Sequence, residues 1–511
     1  MNRIASVLLL FTFLSPASAK TLNVRLTDAP VSLDWNGTAS MTEAPLILNL
    51  CEGLFTYEYP SGKLIPGIAE SLTKSKDATE YTFKIRKDAK WSDGKAIVAQ
   101  DFVEAWTRVL SPQSTSTYVY YLFDIKKAKE FNSKSARASE LGLKAIDEHT
   151  LFVKLKRPSP NWEVNTTFWP LFPNRKDQIE KFGSNWWRAG ILVSSGPFLF
   201  DTYEAGKKIV FKKNPEYKRS HGNIDEIDFH IVSNQDEALK KYDDGFFDFL
   251  WGLSSSASKY KDRTDYKIQN IMRADLLGLN TEKFPMTNVD FRKAILQSLN
   301  PAKLIPAGAN QLRFAQTFIP PPLAGSKTPT VSTFDVKAAQ ESLKKSGIAT
   351  QKLKLRILTN SSEPYASIGK LIQAQIIAAL GLNVEVISPQ SQEYSAYMDL
   401  GDYNATVLTW TAKVLSPQDF LLPYSGDAIF NRLHFTNPFY DQWIFEGVRS
   451  TTPKEAETAF HEAQKVLGIE DAVASPLFFE SYAELIRPKL KALYFNHMGV
   501  PILKDVEITG K

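Results

Sequence analysis

The sequence predicts an α/β protein with more than one lobe. Two observations lead to this prediction. The chain has 511 residues, whereas a single hydrophobic core usually stops growing at about 250 to 300 residues. Strand-like and helix-like segments also alternate along the chain, most clearly over residues 353–387 and 452–480. Both stretches indicate helices that pack on a sheet.

The first stretch predicts a βαβ unit. Apolar residues alternate over 353–357 at the spacing of a strand, and Ser361-Ser362-Glu363-Pro364 then provides a helix start. The helix that follows has apolar residues at helical spacing and ends at Gly381, and residues 384–387 form a second strand. This order predicts two parallel strands joined by a right-handed crossover.

The second stretch predicts a helix followed by a strand. Thr452 is a good cap residue and Pro453 suits the first helical position. A helix is therefore expected to start here and to run to about Leu467. The apolar run from Pro476 to Glu480 predicts the strand.

The first 19 residues have the features of a signal peptide. Arg3 supplies a positive charge, residues 4–14 form an apolar run, and Ala17-Ser18-Ala19 has the small-x-small pattern that signal peptidase cleaves. The mature protein is therefore expected to start at Lys20. The apolar run is shorter than the roughly 20 residues needed to cross a bilayer, and no cysteine at the cleavage point could carry a lipid. The sequence thus predicts a soluble periplasmic protein that neither spans the membrane nor has a lipid anchor.

Charge and cysteine content exclude several classes of function and structure. The formal net charge is only +5, and basic and acidic residues are mixed along the chain, so a nucleic acid is not expected as a partner. Cys51 is the one cysteine, and no intramolecular disulfide can therefore form. Because Cys51 follows a largely apolar stretch, we expect it to be a small buried hydrophobic residue.

No catalytic or metal-binding motif is complete in the sequence. The six histidines are scattered without metal-ligand spacing. His461-Glu462 starts an HExxH motif, but Lys465 stands where the second histidine would be. Residues 252–256 resemble a nucleophile elbow but lack its second glycine. The sequence therefore predicts no enzyme, no metal ion and no cofactor.

A block near the N-terminus carries the most specific pattern. Tyr81, Phe83 and Ile85 alternate as in a strand, Asp93-Gly94 predicts a tight turn, and a helix is expected to be capped near Asp101. The block and the segments that continue the pattern are Leu33-Asp34-Trp35, Cys51-Glu52-Gly53-Leu54, residues 69–71, 81–94, 99–103 and 144–151, Ser195-Gly196-Pro197-Phe198, Asn214-Pro215-Glu216-Tyr217, Asn280 and residues 290–294. In this order they resemble the periplasmic oligopeptide-binding proteins, extracellular solute-binding protein family 5, which are the receptors of ABC importers. The similarity covers essentially the whole mature chain.

The resemblance implies an α/β fold that is periplasmic-binding-protein-like, of type II, with two lobes and an inserted extra domain. Lobe I is expected to combine residues 20–52, 172–274 and 487–511, the inserted domain II to be residues 53–171, and lobe III to be residues 275–486. In the family, the ligand lies between the lobes as an extended strand whose main chain hydrogen-bonds the protein main chain. Closure of the lobes around the ligand then creates the form that the permease recognises.

The function that the resemblance implies is that of a receptor. We expect the protein to capture peptides or peptide-like compounds, to deliver them to the permease subunits of an ABC transporter, and to be a monomer. Two alternatives remain open. One is a receptor for a non-peptide solute, such as an oligosaccharide or an amino-acid conjugate. The other is a periplasmic enzyme or chaperone on the same scaffold.

The segments that line the ligand in the family fall on three places in this chain, namely Ser40-Met41-Thr42, Tyr118 and Thr409-Trp410-Thr411. A fourth position departs from the family. Three residues after this tryptophan, the peptide binders have an aspartate that meets the α-amino group of the ligand, but this chain has Lys413. At about 4 Å and an effective dielectric near 20, two like charges repel by about 4 kcal/mol. Lys413 should therefore repel a free amino terminus.

The basic residues that the family places shortly before this tryptophan are also missing, since residues 387–409 contain no Lys or Arg. Three hypotheses account for Lys413. In the first, Lys413 faces an acidic group or a blocked end of the ligand. In the second, it pairs with a local acid or extends into solvent. In the third, the alignment shifts and Asp419, six residues further on, takes the role of the family's aspartate.

Overall fold

A computed structural model describes residues 19–37, 40–330, 332–426 and 428–510. The predicted signal peptide, apart from Ala19, lies outside these residues. The strands are β1 Thr21–Leu26, β2 Phe55–Tyr57, β3 Leu64–Pro66, β4 Ala69–Lys74, β5 Glu80–Ile85, β6 Leu143–Asp147, β7 Thr150–Lys154, β8 Phe198–Glu204, β9 Lys208–Lys213, β10 Glu226–Ile231, β11 Phe249–Leu253, β12 Tyr266–Leu279, β13 Leu312–Phe314, β14 Lys354–Leu358, β15 Asn383–Ile387, β16 Ala405–Thr411, β17 Ala474–Ile486, β18 Leu490–Lys491, β19 Tyr494–Phe495, β20 Pro501–Ile502 and β21 Glu507–Ile508. The α-helices are α1 Ala44–Leu50, α2 Ala99–Leu110, α3 Ala128–Asn132, α4 Lys176–Phe182, α5 Gln235–Asp243, α6 Val289–Gln297, α7 Val336–Ser346, α8 Tyr365–Leu380, α9 Ser391–Leu400, α10 Pro438–Arg449 and α11 Pro453–Lys465.

One large mixed sheet runs through most of the molecule. Its strand order is β15-β14-β16-β12-β17-β11-β1-β10-β9-β8, and β13 pairs with β17 beside this path. The two long strands β12 and β17 pair with each other in antiparallel fashion. β12 also pairs with β16, whereas the last part of β17 pairs with β11. These two strands therefore connect the two halves of the sheet.

The predicted βαβ unit is confirmed. β14, α8 and β15 follow one another along the chain, and β14 pairs with β15 in parallel. Ile368, Ile372 and Ile376 are the buried isoleucines of α8. The helix ends at Gly381, whose φ of +66° is a conformation that glycine adopts without steric cost.

The helix predicted after Thr452 is also confirmed, as α11. The Thr452 side chain accepts a hydrogen bond from the N–H of Glu455, and the Glu455 side chain accepts one from the N–H of Thr452, which is a capping box. The α-helix ends at Lys465, and the chain continues as a π-helix over Val466–Glu470. The strand that follows, β17, is longer than predicted because it crosses both halves of the sheet.

A separate four-stranded antiparallel sheet, of order β4-β5-β7-β6, contains the most specific sequence block. Tyr81, Phe83 and Ile85 are buried on β5, as their alternation predicts. The turn at Asp93-Gly94 is confirmed as well, because Gly94 donates its N–H to the carbonyl of Trp91 at 2.9 Å.

The cap expected near Asp101 lies at a different position in the helix. α2 begins at Ala99, so Asp101 is already in its first turn. The Asp101 carboxylate accepts hydrogen bonds from the N–H of Val98 and from Nε1 of Trp91, both at 3.0 Å. Asp101 therefore satisfies the helix start from its third position, since Val98 before the helix has no side-chain acceptor for this purpose.

Apolar cores lie on both faces of β16 and β12. Val407 and Leu277 face α8, whereas Leu276 and Trp410 face α10 and α11. Because side chains alternate along a strand, Thr409 shares the α8 face with Val407. Trp410 and its two threonine neighbours therefore point to opposite sides of the sheet.

A larger core joins the first strands of the chain to the four-stranded sheet. Cys51 lies in this core and is 3 % exposed, as expected for a small hydrophobic residue, and burial raises the pKa of its thiol. Within the described residues, no helix combines the length and the apolar character that a membrane span requires.

The capping box of α11 can be tested by substitution. Thr452→Ala removes the side-chain acceptor for the N–H of Glu455 and should lower the free energy of unfolding by about 1 kcal/mol, measured by urea denaturation. Thr451→Ala, at the exposed neighbouring residue, is the matched control and should leave the urea midpoint unchanged. Equal effects of the two changes would contradict the assignment of the cap.

Candidate ligand-binding site

β16 has one edge that is only partly paired. On one side it pairs with β12 from Leu279↔Ala405 to Arg273↔Thr411. On the other side it pairs with β14 at Ile357↔Ala405 and Leu358↔Thr406, after which β14 ends. Among the described residues, no strand pairs with Val407–Thr411 on this side. We call these five residues the free edge.

The hydrogen-bonding groups of the free edge have a defined direction. Ala412 donates its N–H to the carbonyl of Met272, directly opposite, at 2.8 Å. In an antiparallel ladder, successive residues direct their N–H and C=O groups alternately toward and away from the partner strand. Ala412, Trp410 and Leu408 therefore face β12, and Val407, Thr409 and Thr411 direct their main-chain groups outward. The outward groups are an acceptor and donor array for another extended chain.

The three predicted contact residues of this strand differ in exposure. Thr409 is exposed, whereas Trp410 and Thr411 are half-buried. The ring of Trp410 lies 6.1 Å from the ring of Phe430, and its indole N–H is buried without a hydrogen-bond partner among the described residues. This segment therefore offers an unpaired main chain next to a large aromatic surface.

Lys413 lies at the end of the free edge. Its Nζ donates to the carbonyl of Thr411 at 2.8 Å and lies 5.7 Å from the ring centre of Trp410. Burial lowers the pKa of Lys413 to about 8, although the negative charge of Asp419 partly opposes this shift. Among the described residues, Lys413 makes no direct ion pair with a carboxylate. It therefore presents a positive charge at neutral pH that a carbonyl only partly satisfies.

Asp419 accepts hydrogen bonds from protein groups on both of its carboxylate oxygens. Oδ2 accepts the N–H groups of Lys413 and Val414, and Oδ1 accepts the hydroxyl of Tyr121. Asp419 is 2 % exposed, and burial raises its pKa. In the described conformation its carboxylate holds the loop after β16 in place.

Ser40, Met41, Thr42 and Tyr118 lie close to this loop. The N–H and the hydroxyl of Ser40 both donate to Oε2 of Glu43, at 2.9 and 2.6 Å. Burial raises the pKa of Tyr118 to about 12, and the charges of Asp419 and Glu43 add to this shift. The rings of Tyr118 and Tyr121 both pack on Phe168, and Tyr121 donates to Asp419 of the loop after β16. Met41 packs against the same apolar core as Val414 and Leu415 of this loop.

The segments around the site touch one another across the molecule. The hydroxyl of Tyr57 accepts the N–H of Leu415 at 3.1 Å, and Tyr121 donates to Asp419. The rings of Tyr120 and Phe430 are 5.8 Å apart. These contacts join residues of the N-terminal third to the segment after β16, so the two parts of the chain touch next to the free edge.

Sequence reasoning did not find Arg273, which lies on β12 directly opposite Thr411. Its guanidinium contacts Glu480 at 3.1 Å and donates to the hydroxyl of Tyr365 at 2.7 Å, and its side chain is 21 % exposed. Burial and the neighbouring Glu480 raise the pKa of Asp275, which completes this cluster. Arg273 is far from Trp410 in the sequence, and only the pairing of β12 with β16 places it beside Thr411, so residues close to Trp410 in the chain give no signal for it.

The site has no arrangement typical of metal chemistry. Within the described ranges, no three or more His, Cys, Asp or Glu side chains are grouped so that they could hold a metal ion. The features present are an unpaired strand edge, aromatic surfaces, and the charges of Lys413 and Arg273. Such a site suits the recognition of a guest molecule.

A family model described as "Bacterial extracellular solute-binding proteins, family 5 Middle" matches residues 63–432, which is more than half of the chain. The chain belongs to this family. The predicted fold class is thereby confirmed as an α/β fold of the periplasmic-binding-protein type II, with two lobes and an inserted extra domain. Members of this family are solute-binding receptors.

Curated relatives align with nearly the whole chain. The periplasmic murein peptide-binding protein MppA of Escherichia coli K12 is 28 % identical over 505 residues, which cover 94 % of this chain and 91 % of MppA. The probable deoxycholate-binding periplasmic protein YgiS of the same organism is 26 % identical over 479 residues, covering 90 % of this chain and 88 % of YgiS. Both relatives are periplasmic binding proteins.

A solved structure of a relative has the same fold. Haemophilus influenzae OppA, in a complex with RPPGFSPFR, matches with a TM-score of 0.83 at 25 % identity. The match covers 97 % of this chain and 100 % of that structure. The overall arrangement described here is therefore similar to that of a receptor with a peptide bound.

We expect the hydrogen bond between Tyr121 and Asp419 to stabilise the closed form of the protein relative to the open form. Tyr121→Phe removes one of the hydrogen bonds across the cleft, so the ligand-free protein should have a larger radius of gyration in small-angle X-ray scattering. Tyr203→Phe, on β8 away from the cleft, is the control and should leave the scattering curve unchanged. If Tyr121→Phe also leaves it unchanged, this hydrogen bond does not hold the cleft closed.

Proposed function

We propose that this protein is a periplasmic receptor that binds peptides or peptide-like compounds as an extended strand along the free edge and delivers them to the permease of an ABC transporter. The observation that carries the proposal is the edge of β16 around Thr409, which no described strand pairs on the side away from β12. An extended ligand placed there adds a strand to the sheet. Main-chain hydrogen bonds then contribute affinity that does not depend on the side chains of the ligand.

The proposal assigns the lobes and the ligand contacts as follows. Residues 20–52, 172–274 and 487–511 form lobe I, residues 53–171 form the inserted domain II, and residues 275–486 form lobe III. The ligand lies between them and contacts Ser40, Met41, Thr42, Tyr118, Thr409, Trp410, Thr411 and Lys413. The packing of Tyr118 and Tyr121 on Phe168, together with the hydrogen bond from Tyr121 to Asp419, supports a single site for these residues.

Export and delivery follow from the same proposal. Residues 1–19 act as a cleaved signal peptide, and the mature protein is a monomer that diffuses in the periplasm without a lipid anchor. Closure around the ligand shifts the population toward a form that the permease binds. The periplasmic relatives and the peptide complex of Haemophilus influenzae OppA support this assignment.

A non-peptide acid is the second candidate ligand. The cation of Lys413 at the end of the free edge disfavours a free amino terminus but suits a carboxylate. Deoxycholate, which the related YgiS is described as binding, carries one carboxylate and no peptide main chain. Such a ligand would use Lys413 and the aromatic surface of Trp410 but not the outward groups of Thr409.

Native mass spectrometry tests the receptor function directly. Protein purified from the periplasm of its own host should carry a small molecule, which denaturation releases and fragmentation identifies as a peptide or another acid. Titration calorimetry with the released compound should then give a dissociation constant. Turnover of that compound, or binding only to unfolded proteins, would instead favour an enzyme or a chaperone on this scaffold.

A proline at the free edge separates the two ligand classes. Thr409→Pro removes the outward N–H, which makes no ladder bond to β12, so the strand should still fold. It should weaken the binding of peptides about tenfold, which corresponds to about 1.4 kcal/mol, as measured by calorimetry. Thr409→Val keeps the N–H and is the matched control. Equal affinities of both variants for a peptide would contradict strand addition, whereas deoxycholate binding should be insensitive to either change.

A further inference from the structure

A small cavity lies beside the end of the free edge. It has a volume of about 60 Å³, and its lining includes Tyr57, Glu52, Lys413, His497 and Lys504. One water needs about 10 to 15 Å³ of such space. The cavity therefore has room for a few waters or for a carboxylate with its first methylene group.

Two buried side chains of the cavity have polar atoms that make no hydrogen bond of good geometry among the described residues. Among the described residues, neither ring nitrogen of His497 makes a hydrogen bond of good geometry, although the main-chain carbonyls of Ala412 and Lys413 lie near the ring. Oε2 of Glu52 also accepts no hydrogen bond, and its nearest cation is Arg86 at 3.7 Å. The ring of His497 packs edge-on against Tyr57, with the centroids 5.6 Å apart. Burial lowers the pKa of His497 to about 4, so the ring is neutral at pH 7 and offers one N–H donor. An unsatisfied buried donor costs about 1 to 3 kcal/mol, which an occupant of the cavity can offset.

The charges around the cavity are mostly positive. Glu52 is neutralised by Arg219 at 2.7 Å and Arg86 at 3.7 Å, and it also accepts a hydrogen bond from Tyr217. Lys413 adds a positive charge, whereas the charge of Lys504 is paired with Asp505 at 2.5 Å. Asp419 is the opposing acid near Lys413, but its oxygens accept the hydroxyl of Tyr121 and the N–H groups of Lys413 and Val414. The surroundings therefore favour an anion over a cation.

We propose that this cavity binds a carboxylate of the ligand, with Lys413 and the N–H of His497 as its donors. This inference rests on the proposed function, because it assumes a ligand along the free edge. Lys413 connects the two places, since its Nζ contacts the outward carbonyl of Thr411 and its side chain also lines the cavity. A ligand that follows the free edge toward Lys413 therefore ends at the cavity. The carboxylate of the ligand then replaces the carbonyl of Thr411 as the hydrogen-bond partner of Lys413. Charged partners form stronger hydrogen bonds than neutral ones.

The carboxylate can belong to the carboxyl end of a peptide or to an acid that blocks its amino end. Calorimetry with one tripeptide core in four forms distinguishes these sources. The N-acetyl acid carries the charge at the carboxyl end, and the N-succinyl amide carries it at the amino end. The N-acetyl amide is neutral, and the free-amino amide is a cation. The wild-type protein should bind one of the two acids at least tenfold more tightly than the neutral form.

Lys413→Met tests the role of the cation. It should weaken binding of the preferred acid at least tenfold and change binding of the neutral form by less than twofold. Lys504→Met removes the same charge from the same cavity, but the Nζ of Lys504 contacts Ser220 and Asp505 instead, so this control should leave the preference intact. Lys413→Asp should reverse the preference toward the free-amino form. An equal loss for neutral and acidic forms in Lys413→Met would overturn the inference.

The pH dependence of the wild-type protein provides a test without substitution. Because the pKa of Lys413 is lowered to about 8, its charge is present below this pH and is lost above it. The groups around it are Asp419, Arg273, His497, Tyr57, Glu52 and Lys504. The pKa of His497 is about 4 and the pKa of Tyr57 is about 12, so both values are far from pH 8. Affinity for the acid should fall by up to tenfold per pH unit above about 8, while affinity for the neutral form stays constant, and parallel curves would overturn the inference.

The carboxylate cavity and the proposed receptor function can be disproved separately. If the neutral or free-amino form binds as tightly as both acids, and Thr409→Pro still weakens that binding, the carboxylate cavity is wrong and strand addition stands. If no form binds to the wild-type protein, the proposed function itself is wrong for peptides.

Discussion

The end of β14 is the constraint on which the site depends. β14 supports β16 only as far as Thr406, while β12 continues to hold β16 in an extended conformation as far as Thr411. β12 thus keeps this exposed edge in place, but the outward hydrogen-bonding groups of the edge have no neighbouring strand. Exposed strand edges are usually protected, since they invite pairing with other chains. Here the hydrogen bonds of Tyr121 to Asp419 and of Leu415 to Tyr57 hold the loop after β16 against the N-terminal part of the chain, next to this edge.

Asp419 links the free edge to the opposite side of the cleft. A buried carboxylate needs several donors to offset its desolvation, and two of its donors are main-chain N–H groups of its own loop. The third, the hydroxyl of Tyr121, comes from a residue 298 positions away in the sequence. The shape of the loop and the closure of the cleft are therefore coupled through one side chain. This coupling also fixes the direction in which the main chain presents Lys413.

Local patterns in the sequence were sufficient for several elements. The βαβ unit of β14, α8 and β15 and the capping box at Thr452 follow from residues that lie close together in the chain. The helix at Asp101 starts three residues earlier than a cap at this position predicts, because a carboxylate can cap a helix from its third position as well as from before its start. Arg273 and the free edge could not be found in this way. Both depend on which strands become neighbours and on where a neighbour ends, and hydrophobic periodicity contains neither fact. The residues that line the ligand came from resemblance to a family, and their role stays a prediction.

The continuity of β12 and β17 through both halves of the large sheet has a consequence for how such a receptor can change its guest. If one half of the sheet were exchanged for that of a relative, the ladder between β12 and β17, which joins the two halves, would have to be rebuilt. Recombination of whole lobes is therefore a poor evolutionary route for this architecture. A single replacement of a side chain leaves this ladder intact and is therefore a simpler route to new specificity.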